Sequence, residues 1–274
     1  MAILDAQFPE KIPSRPLRTL LICHEEDELN RVGLAAWMAS FSHLDGVVVL
    51  RETLDRKMKR VRREIQRVGW LRFLDVLAFS AYYRFFLAAK DRAWEQQAVA
   101  ALYAKYPKPQ APELIAPTPN TPEAEKFIRD AQPDLVIARC KTLIAERIFT
   151  IPTIGTFVMH PGICPEYRNA HGCFWAVANE DVQKIGSTLL KIDKGVDTGA
   201  AYGYFHVRPR QDESHIVLQH RTVFDNLDAI RATLGQIGTG AAPSIDTTGR
   251  RSAEWGQPWM TRYFAWKRVM RNLV

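Results

Sequence analysis

Short apolar runs alternate with helical segments along this chain of 274 residues, and this alternation constrains the fold more than any other feature. A helical segment at residues 29–42 lies between two apolar runs, RTLLICHE at residues 18–25 and GVVVLRE at residues 46–52. The helix-like TPEAEKFIRDA is followed by two more apolar runs, DLVIARC at residues 134–140 and GTFVMH at residues 155–160. Continuous apolar strands linked by helices are typical of parallel sheets covered on both faces. We therefore predict an α/β fold with a mostly parallel sheet flanked by helices, whose ligands bind beyond the carboxyl ends of the strands.

Composition and cysteine spacing restrict the class of protein. A content of 47% hydrophobic and 24% charged residues indicates a globular chain. Residues 1–18 contain three prolines and no apolar stretch, so we expect no secretory signal and a cytoplasmic protein, with peripheral attachment to a membrane as an option. Cysteines at positions 23, 140, 164 and 173 lack the C-x-x-C spacing of metal sites, so we expect no metal and a reducing compartment.

The net charge of +7 is concentrated in one segment. Eleven Lys and Arg stand against three acidic residues between Arg56 and Arg92, a local balance of +8. Arg72, Asp75 and Arg84 interrupt the apolar part of this segment, which excludes a transmembrane helix. Two interpretations remain open. The segment is either a helical insertion packed on the main domain with a solvated basic face, or a surface for anionic lipid, a lipid-linked substrate or, less favoured, a nucleic acid.

Two loops carry the polar residues of a candidate site. HPGICPEYRNAHGCFWAV begins at His160, at the end of a predicted strand, and contains Asn169 and His171. DKGVDTG, at residues 193–199, is a glycine-punctuated turn that holds Asp197. A carboxylate beside an imidazole raises the histidine pKa and fixes its tautomer, which suits proton transfer at neutral pH. Cys164 is better explained as a small buried hydrophobe than as a nucleophile.

These motifs resemble the formyltransferases that use 10-formyltetrahydrofolate, a family that includes methionyl-tRNA formyltransferase, glycinamide ribonucleotide transformylase and sugar N-formyltransferases. The matching residues are His160-Pro161-Gly162, Pro165-x-Tyr167-Arg168, Gly186-x-Thr188 and Asp193-x-Gly195-x-Asp197-Thr198-Gly199. The similarity covers residues 110–205 well and residues 18–55 loosely. It implies a Rossmann-like catalytic domain at residues 1–205 with a helical basic insertion at about 56–106, followed by a helical C-terminal extension at residues 206–274. Because the family's tRNA-acting members carry a β-barrel after the catalytic domain, the helical extension disfavours a tRNA substrate.

The resemblance also assigns catalytic roles. His160 corresponds to the catalytic histidine, and Asp197 to the aspartate that orients it and helps move the proton. Val158 stands where the family has the asparagine of its Asn-x-His-Pro motif, and losing one oxyanion donor typically costs about a hundredfold or more in rate. Asn169 and His171 are the candidate replacements; the alternative is that Asn169 adopts a turn conformation or caps a helix and that His171 only caps or packs.

The resemblance implies 10-formyltetrahydrofolate as the formyl donor, with its pterin ring bound by the backbone of the loop at residues 139–144. The residues assigned to the donor are Arg139, Cys140, Lys141, Thr142, Leu143, Ile144, Asp193 and Val196. The resulting hypothesis is an enzyme, a divergent formyltransferase that moves a one-carbon unit to an amine of a small-molecule, sugar or lipid-linked acceptor. The alternatives are a formyl-donor hydrolase, another acyl transferase on the same fold, and a non-catalytic binding protein associated with a membrane or polyanion.

Overall fold

A seven-stranded sheet forms the centre of the computed structural model, which describes residues 15–273. Its order is β3-β2-β1-β4-β5-β7-β8, and the first five strands are parallel while β7 and β8 are antiparallel to their neighbours. The strands are β1 (Arg18–His24), β2 (His43–Leu50), β3 (Glu113–Ala116), β4 (Leu135–Arg139), β5 (Gly155–His160), β7 (Gly186–Lys191) and β8 (Ala201–His206), and a separate parallel pair consists of β6 (Arg168–Asn169) and β9 (Glu254–Trp255).

Ten α-helices of the described chain connect or cover these strands. They are α1 (Ala35–Ala39), α2 (Leu54–Val68), α3 (Trp70–Tyr82), α4 (Ala88–Lys105), α5 (Pro122–Ala131), α6 (Glu146–Phe149), α7 (Gly172–Ala178), α8 (His215–Phe224), α9 (Leu227–Gly238) and α10 (Met260–Leu273). A π-helical segment, Leu29–Leu34, precedes α1, and a second, Tyr83–Leu87, joins α3 to α4. No helix within residues 15–273 is both long and apolar enough to cross a membrane.

The sheet is buried on both faces, as the continuous apolar runs predict. Leu21 and Cys23 of β1 pack on one side with Trp37 of α1 and Ile230 of α9. Alternate residues of the same strands pack on the other side with α5 and α6, through Ile128 among others. Thr121 caps α5 by accepting a hydrogen bond from the amide of Ala124. The predicted α/β architecture is confirmed.

The strand order reverses at β1, and this places the candidate ligand crevice. The chain runs from β1 outward to β2 and β3, then returns so that β4 pairs with the opposite edge of β1. Ligands of such sheets bind at this switch point, outside the carboxyl ends of the strands. His24, Arg139 and His160 stand at the ends of β1, β4 and β5, which brings them to the same edge of the sheet.

The basic segment forms α2, α3 and α4, which lie between β2 and β3 in the chain. Phe79 of α3 packs with Phe174 of α7 and Tyr263 of α10. Helices α8 and α9 pack within the same core as the sheet, for example through Leu234. The division of the chain into a domain at residues 1–205 and an extension at residues 206–274 stays a prediction.

The sequence patterns missed two details. The proline-rich segment before α5 contributes β3, a short edge strand that pairs with β2. The amphipathic stretch at residues 214–237 is divided into two helices, α8 and α9. The break occurs at Asp225 and Asn226, where Asp225 accepts hydrogen bonds from Arg221 and the Asn226 amide donates to the carbonyl of Thr222. Such side chains compete with the helical backbone and end the first helix there.

Candidate active site

His160 and Asp197 form the centre of the candidate site. The Nδ1 atom of His160 lies 3.3 Å from Oδ2 of Asp197, and its Nε2 atom lies 2.8 Å from the carbonyl oxygen of Tyr167. The His160 side chain is 4% exposed and that of Asp197 is 15% exposed, so the carboxylate is the more accessible member of the pair. Two loops that are far apart in sequence therefore deliver one imidazole and one carboxylate to the same place.

These contacts decide where protons sit on His160. A carbonyl oxygen only accepts hydrogen bonds, so Nε2 carries a proton and donates to Tyr167. Nδ1 then faces a carboxylate oxygen, and that contact is attractive only when one more proton lies between Nδ1 of His160 and Oδ2 of Asp197. The contact therefore places an imidazole nitrogen and a carboxylate where a proton can pass between them, with Asp197 as the more exposed member.

The turn that carries Asp197 is built by its own side chains. Oδ1 of Asp193 accepts hydrogen bonds from the amide of Gly195 at 2.9 Å and from the hydroxyl of Thr198 at 2.7 Å. A Cβ atom on Gly199 would overlap the carbonyl oxygen of Lys191, so this position requires glycine. Asp197 itself has φ +51°, a left-handed conformation that Asp tolerates better than most residues.

A buried threonine holds the loop that follows His160. The Thr188 hydroxyl donates to the carbonyl of Gly162 at 2.6 Å and accepts from the amide of Cys164 at 3.0 Å. The hydroxyl of Tyr204 donates to the carbonyl of Cys164 at 2.7 Å. The Gly186-x-Thr188 motif therefore positions the histidine loop. Burial raises the pKa of the Cys164 thiol, which fits the prediction that Cys164 is not a nucleophile.

Residues 250–255 of the C-terminal segment contact and stabilise the same loop. The sequence patterns did not predict these contacts. Strand β9 pairs with β6, and the side-chain amide of Asn169 donates to the carbonyl of Trp255. Arg250 binds Glu166 through two hydrogen bonds of 3.0 and 2.6 Å, and a third joins it to the Tyr204 hydroxyl at 2.5 Å. Hydrogen bonds from Arg250 and Lys184 hold the pKa of Glu166 below its usual value although burial acts in the opposite direction. These contacts could be predicted only from a sequence pattern that relates residues 250–255 to residues 166–169.

Arg168 connects the loop after His160 to the turn that carries Asp197. Its Nη1 atom donates to the carbonyl of Val196 at 2.7 Å, and its Nε atom donates to the hydroxyl of Ser252 at 2.9 Å. The backbone amide of the next residue, Asn169, donates to Oδ2 of Asp197 at 2.8 Å. Arg168 and Asn169 thus fix the carboxylate opposite His160.

Of the two predicted replacements for the missing asparagine, only Asn169 lies in contact with the pair. Its backbone amide holds Asp197, whereas its side chain is engaged by Trp255. His171 is oriented elsewhere: Gln219 donates to its Nδ1 and Gln257 accepts from its Nε2, each at 3.3 Å. A catalytic role for either side chain stays a prediction.

Val158 lies where the missing amide would be needed. It precedes His160 by two residues on β5, so both side chains are on the same face of the sheet. Val158 packs with Cys164, Leu190 and Ala201 in a small apolar cluster. The position therefore offers no hydrogen-bond donor to an oxyanion.

The loop predicted to bind the donor has free backbone amides. Among the described hydrogen bonds, none uses the amides of Thr142, Leu143 and Ile144. Asn120 fixes this loop, because its side chain donates to the carbonyl of Leu143 and accepts from the amide of Ala145. Asn120 is thus neither a helix cap nor part of the reactive pair. Successive unpaired amides at the carboxyl edge of the sheet suit recognition of a ring by backbone hydrogen bonds.

The other residues assigned to the donor have structural contacts. Arg139 donates to the side chain of Asn30 and to the carbonyl of Met159. The Cys140 thiol lies 3.6 Å from the carbonyl of Thr142, and Lys141 is exposed. Asp193 folds its turn and Val196 accepts from Arg168, as described above. Donor binding by these residues stays a prediction.

Burial keeps three histidines near the site uncharged at neutral pH. Burial lowers the pKa of His171 to about 4 and that of His220 to about 4, and the positive charge of Lys141 acts in the same direction. His24 accepts a hydrogen bond from the Lys141 amide, and burial lowers its pKa as well. His220 stacks on Trp94 of the insertion. These side chains present polar but uncharged imidazoles at neutral pH.

The chain is similar to proteins that transfer formyl groups. Residues 87–232, more than half of the chain, match the family model described as formyl transferase. Methionyl-tRNA formyltransferase of Dehalococcoides mccartyi (strain CBDB1) is 26% identical over 132 residues, which are 48% of this chain and 42% of that protein. The enzyme of the same name from Agathobacter rectalis is 31% identical over 123 residues, covering 45% of this chain and 37% of that protein. The matches thus span less than half the length of these relatives.

Solved structures agree on the fold. Phosphoribosylglycinamide formyltransferase from Anaplasma phagocytophilum superposes with a TM-score of 0.54 and 12% identity, covering 89% of this chain and all of the other. A sugar N-formyltransferase from Shewanella gives a TM-score of 0.53 and 11% identity, covering 92% of this chain and 87% of the other. The fold neighbours and the family model agree with the resemblance seen in the sequence. The chain belongs to the formyl transferase family.

Proposed function

We propose that this protein transfers a formyl group from 10-formyltetrahydrofolate to an amine. The observation that carries the proposal is the contact between His160 and Asp197, which stand in the two loops that match the family's catalytic motifs. The unpaired amides of the loop at residues 139–144 support a folate donor, which supplies an activated formyl group when bound. The names of the relatives and fold neighbours agree with an enzyme of this class.

The pair performs the proton transfers of this reaction. Attack of the amine forms a carbon–nitrogen bond and places a negative charge on the formyl oxygen. The proton between His160 and Asp197 stabilises that oxygen, and the Asp197 carboxylate accepts the proton that the amine loses. When the bond between the formyl carbon and the donor nitrogen breaks, the pair returns a proton to the leaving nitrogen. The products are a formamide and tetrahydrofolate, and the pair regains its starting state.

The acceptor class follows from charge in the crevice. The segment after β1 reads His-Glu-Glu-Asp-Glu, at residues 24–28, where phosphate-binding α/β proteins have a glycine-rich loop. Glu26 and Glu28 are exposed, and Asp27 is close enough to act on the charge of His220. Glu25 is paired with Arg51, and the other three carboxylates of this segment repel a phosphate at this position. A neutral or cationic amine with hydroxyl groups, such as an amino sugar, fits better than a nucleotide-type acceptor.

The acceptor amine can belong to a free small molecule, a sugar or a lipid-linked sugar. Sugar N-formyltransferases are among the fold neighbours, which supports the sugar class. Their identity to this chain is 11%, so the support comes from architecture and not from shared binding residues.

The experiment measures tetrahydrofolate release and formamide formation with a panel of amino sugars. His160→Ala and Asp197→Asn are each compared with wild type and with two matched controls, His43→Ala and Asp130→Asn, whose side chains are exposed and distant from the site. We expect the first two changes to lower kcat by about a hundredfold or more and the controls to leave it unchanged. Full formyl transfer by His160→Ala would show that the mechanism is wrong.

Calorimetric binding of 5-formyltetrahydrofolate separates the alternatives. Tight binding without transfer to any amine, but with release of formate from the donor, would identify a hydrolase. Binding with neither reaction would indicate a non-catalytic folate-binding protein. Absence of binding would indicate that the protein uses an acyl donor other than folate. A bulky substitution in the donor loop, Thr142→Trp, is expected to abolish binding if the loop holds the pterin ring.

A further inference from the structure

Helix α2 has an apolar stripe that the described part of the chain covers only toward the end of the helix. Leu54, Met58, Val61, Ile65 and Val68 follow the spacing that places side chains on one face of a helix. Leu54 is 78% exposed and Met58 is 56% exposed, and no residue of the helix is buried. Amphipathic surface helices normally bury this stripe against the core. Here Leu54, Met58 and Val61 face solvent, whereas Ile65 and Val68 are half-buried.

The opposite side of α2 holds the helix to the protein. Arg56 donates to the carbonyl of Pro117, and Arg60 pairs with Glu52, which immediately precedes the helix. The Arg67 guanidinium lies against Gly256 of the C-terminal segment. Because arginines fix one side of the helix, the N-terminal part of the apolar stripe on the other side points into solvent.

Helix α3 has apolar residues on two faces. One face is buried against the core, and the other is exposed. Phe73, Val76 and Phe79 are buried against the core. The other face, together with the π-helical segment that follows, carries six large apolar side chains that are between 48% and 89% exposed: Trp70, Leu71, Leu74, Leu77, Phe85 and Phe86. With the three most exposed apolar residues of α2, these make up nine of the fourteen exposed large apolar residues in the described chain.

Unpaired positive charges flank the exposed stripe. Lys57, Lys59, Arg62 and Arg63 form no salt bridge with any part of the chain that the structure describes. They belong to the segment in which eleven basic residues stand against three acidic ones. The amphipathic face, defined as the exposed stripe of α2 with the exposed side of α3 and residues 83–87, therefore combines large apolar side chains with a surplus of cations.

We propose that the amphipathic face docks on the surface of a bilayer that contains anionic lipid. A helix with a basic polar face and exposed Leu, Trp and Phe lies in the plane of a membrane, where apolar side chains enter the acyl boundary and Lys and Arg reach the phosphates. No described helix could span the bilayer, so the attachment is peripheral. This inference does not depend on the formyl-transfer reaction.

Charge argues against the other occupants of this face. Two copies meeting around a twofold axis would bring the unpaired cations of α2 against the same cations of the other copy. A nucleic acid would match the charge, but it would leave Leu71, which is 89% exposed, and the other aliphatic side chains in water. An anionic bilayer satisfies both the charges and the apolar side chains.

The test is co-sedimentation of the full-length protein with vesicles of phosphatidylcholine alone or with about one third phosphatidylglycerol. The apolar variant is Leu71→Glu with Phe85→Glu, and its matched control is Val182→Glu, an exposed apolar position outside this face. The charge variant is Arg62→Gln with Arg63→Gln, and its matched control is Lys108→Gln with Lys126→Gln on the exposed surface elsewhere. Circular dichroism confirms that each variant is folded.

We expect wild type and both controls to bind the phosphatidylglycerol vesicles and to bind phosphatidylcholine weakly. Removal of two charges should lower the partition coefficient roughly twentyfold to thirtyfold, and the apolar variant should lose binding. Failure of wild type to sediment with anionic vesicles overturns the proposal. It is also overturned if Leu71→Glu with Phe85→Glu abolishes a dimer, or tRNA binding, while vesicle binding is absent or unchanged.

Discussion

Replacing Arg250 by Met should reveal how strongly the C-terminal segment fixes the candidate active site. Arg250 makes two hydrogen bonds to the Glu166 carboxylate and one to the Tyr204 hydroxyl. The side chains of Arg250 and Glu166 are 26% and 14% exposed, so solvent screens the ion pair only in part. Methionine keeps most of the packing of the aliphatic stem but removes all three hydrogen bonds.

The expected loss in the free energy of unfolding follows from these three hydrogen bonds. Hydrogen bonds to charged groups contribute about 1.5–3 kcal/mol each when buried, and Lys184 continues to neutralise Glu166 after the change. We therefore expect a loss of about 2–3 kcal/mol in the free energy of unfolding. For a chain of this size, that lowers Tm by roughly 5–10 °C. Because Glu166 belongs to the loop whose Asn169 amide holds Asp197, kcat should also fall by about tenfold or more.

The assay combines thermal unfolding with turnover for Arg250→Met, Glu166→Gln and the double variant. Arg251→Met is the matched control, since Arg251 is exposed and makes no hydrogen bond in the described chain. The double-mutant cycle should give a coupling energy of about 1 kcal/mol or more. A Tm for Arg250→Met within about 1 °C of that for Arg251→Met, or additive effects in the cycle, would refute the argument that this ion pair stabilises the loop.

Three further measurements test the packing and the electrostatics of the site. Thr188→Val leaves the carbonyl of Gly162 without its partner in a buried loop, and chemical unfolding should show a loss of about 2–3 kcal/mol. Gly199→Ala places a methyl group on a backbone carbonyl and should cost about 3 kcal/mol or more, whereas Gly235→Ala in an open helical position should stabilise by about 0.5–1 kcal/mol. His171 has a pKa of about 4 in the folded protein, below its unfolded value, so the unfolded chain binds more protons between these values. The free energy of unfolding should therefore decrease as pH falls from about 6.5 to 4, and urea titrations should show a weaker decrease for His171→Gln.

The strand pattern predicted the fold and the position of His160 because each depends on local sequence. Apolar runs place β1, β4 and β5 in the interior, and a parallel sheet brings their carboxyl ends together wherever the connections run. The proximity of Asp197 could be inferred only through the family motifs. It depends on a turn shaped by Asp193 and on hydrogen bonds from the loop after His160.

The contacts that the sequence did not reveal join segments that are separated along the chain. Arg250 reaches Glu166, and β9 pairs with β6, which has only two residues and no apolar periodicity. Asn120 directly precedes Thr121, the N-cap of α5, and its side chain fixes the loop at residues 143–145. Short polar contacts of this kind carry no periodic signal, so single-sequence patterns cannot locate them.

Val158 connects these findings to the chemistry. In an apolar cluster with Cys164 and Leu190, it offers no amide to an oxyanion, so the reaction that we propose depends on the proton held by His160 and Asp197. A single proton stabilises charge well only if the groups that hold it cannot move away. The Asp197 carboxylate meets that requirement. The amide of Asn169 binds it directly, and Arg168 and β9 hold the surrounding loops in place. Rigid placement of the pair is therefore the feature of this protein that best compensates for the missing amide.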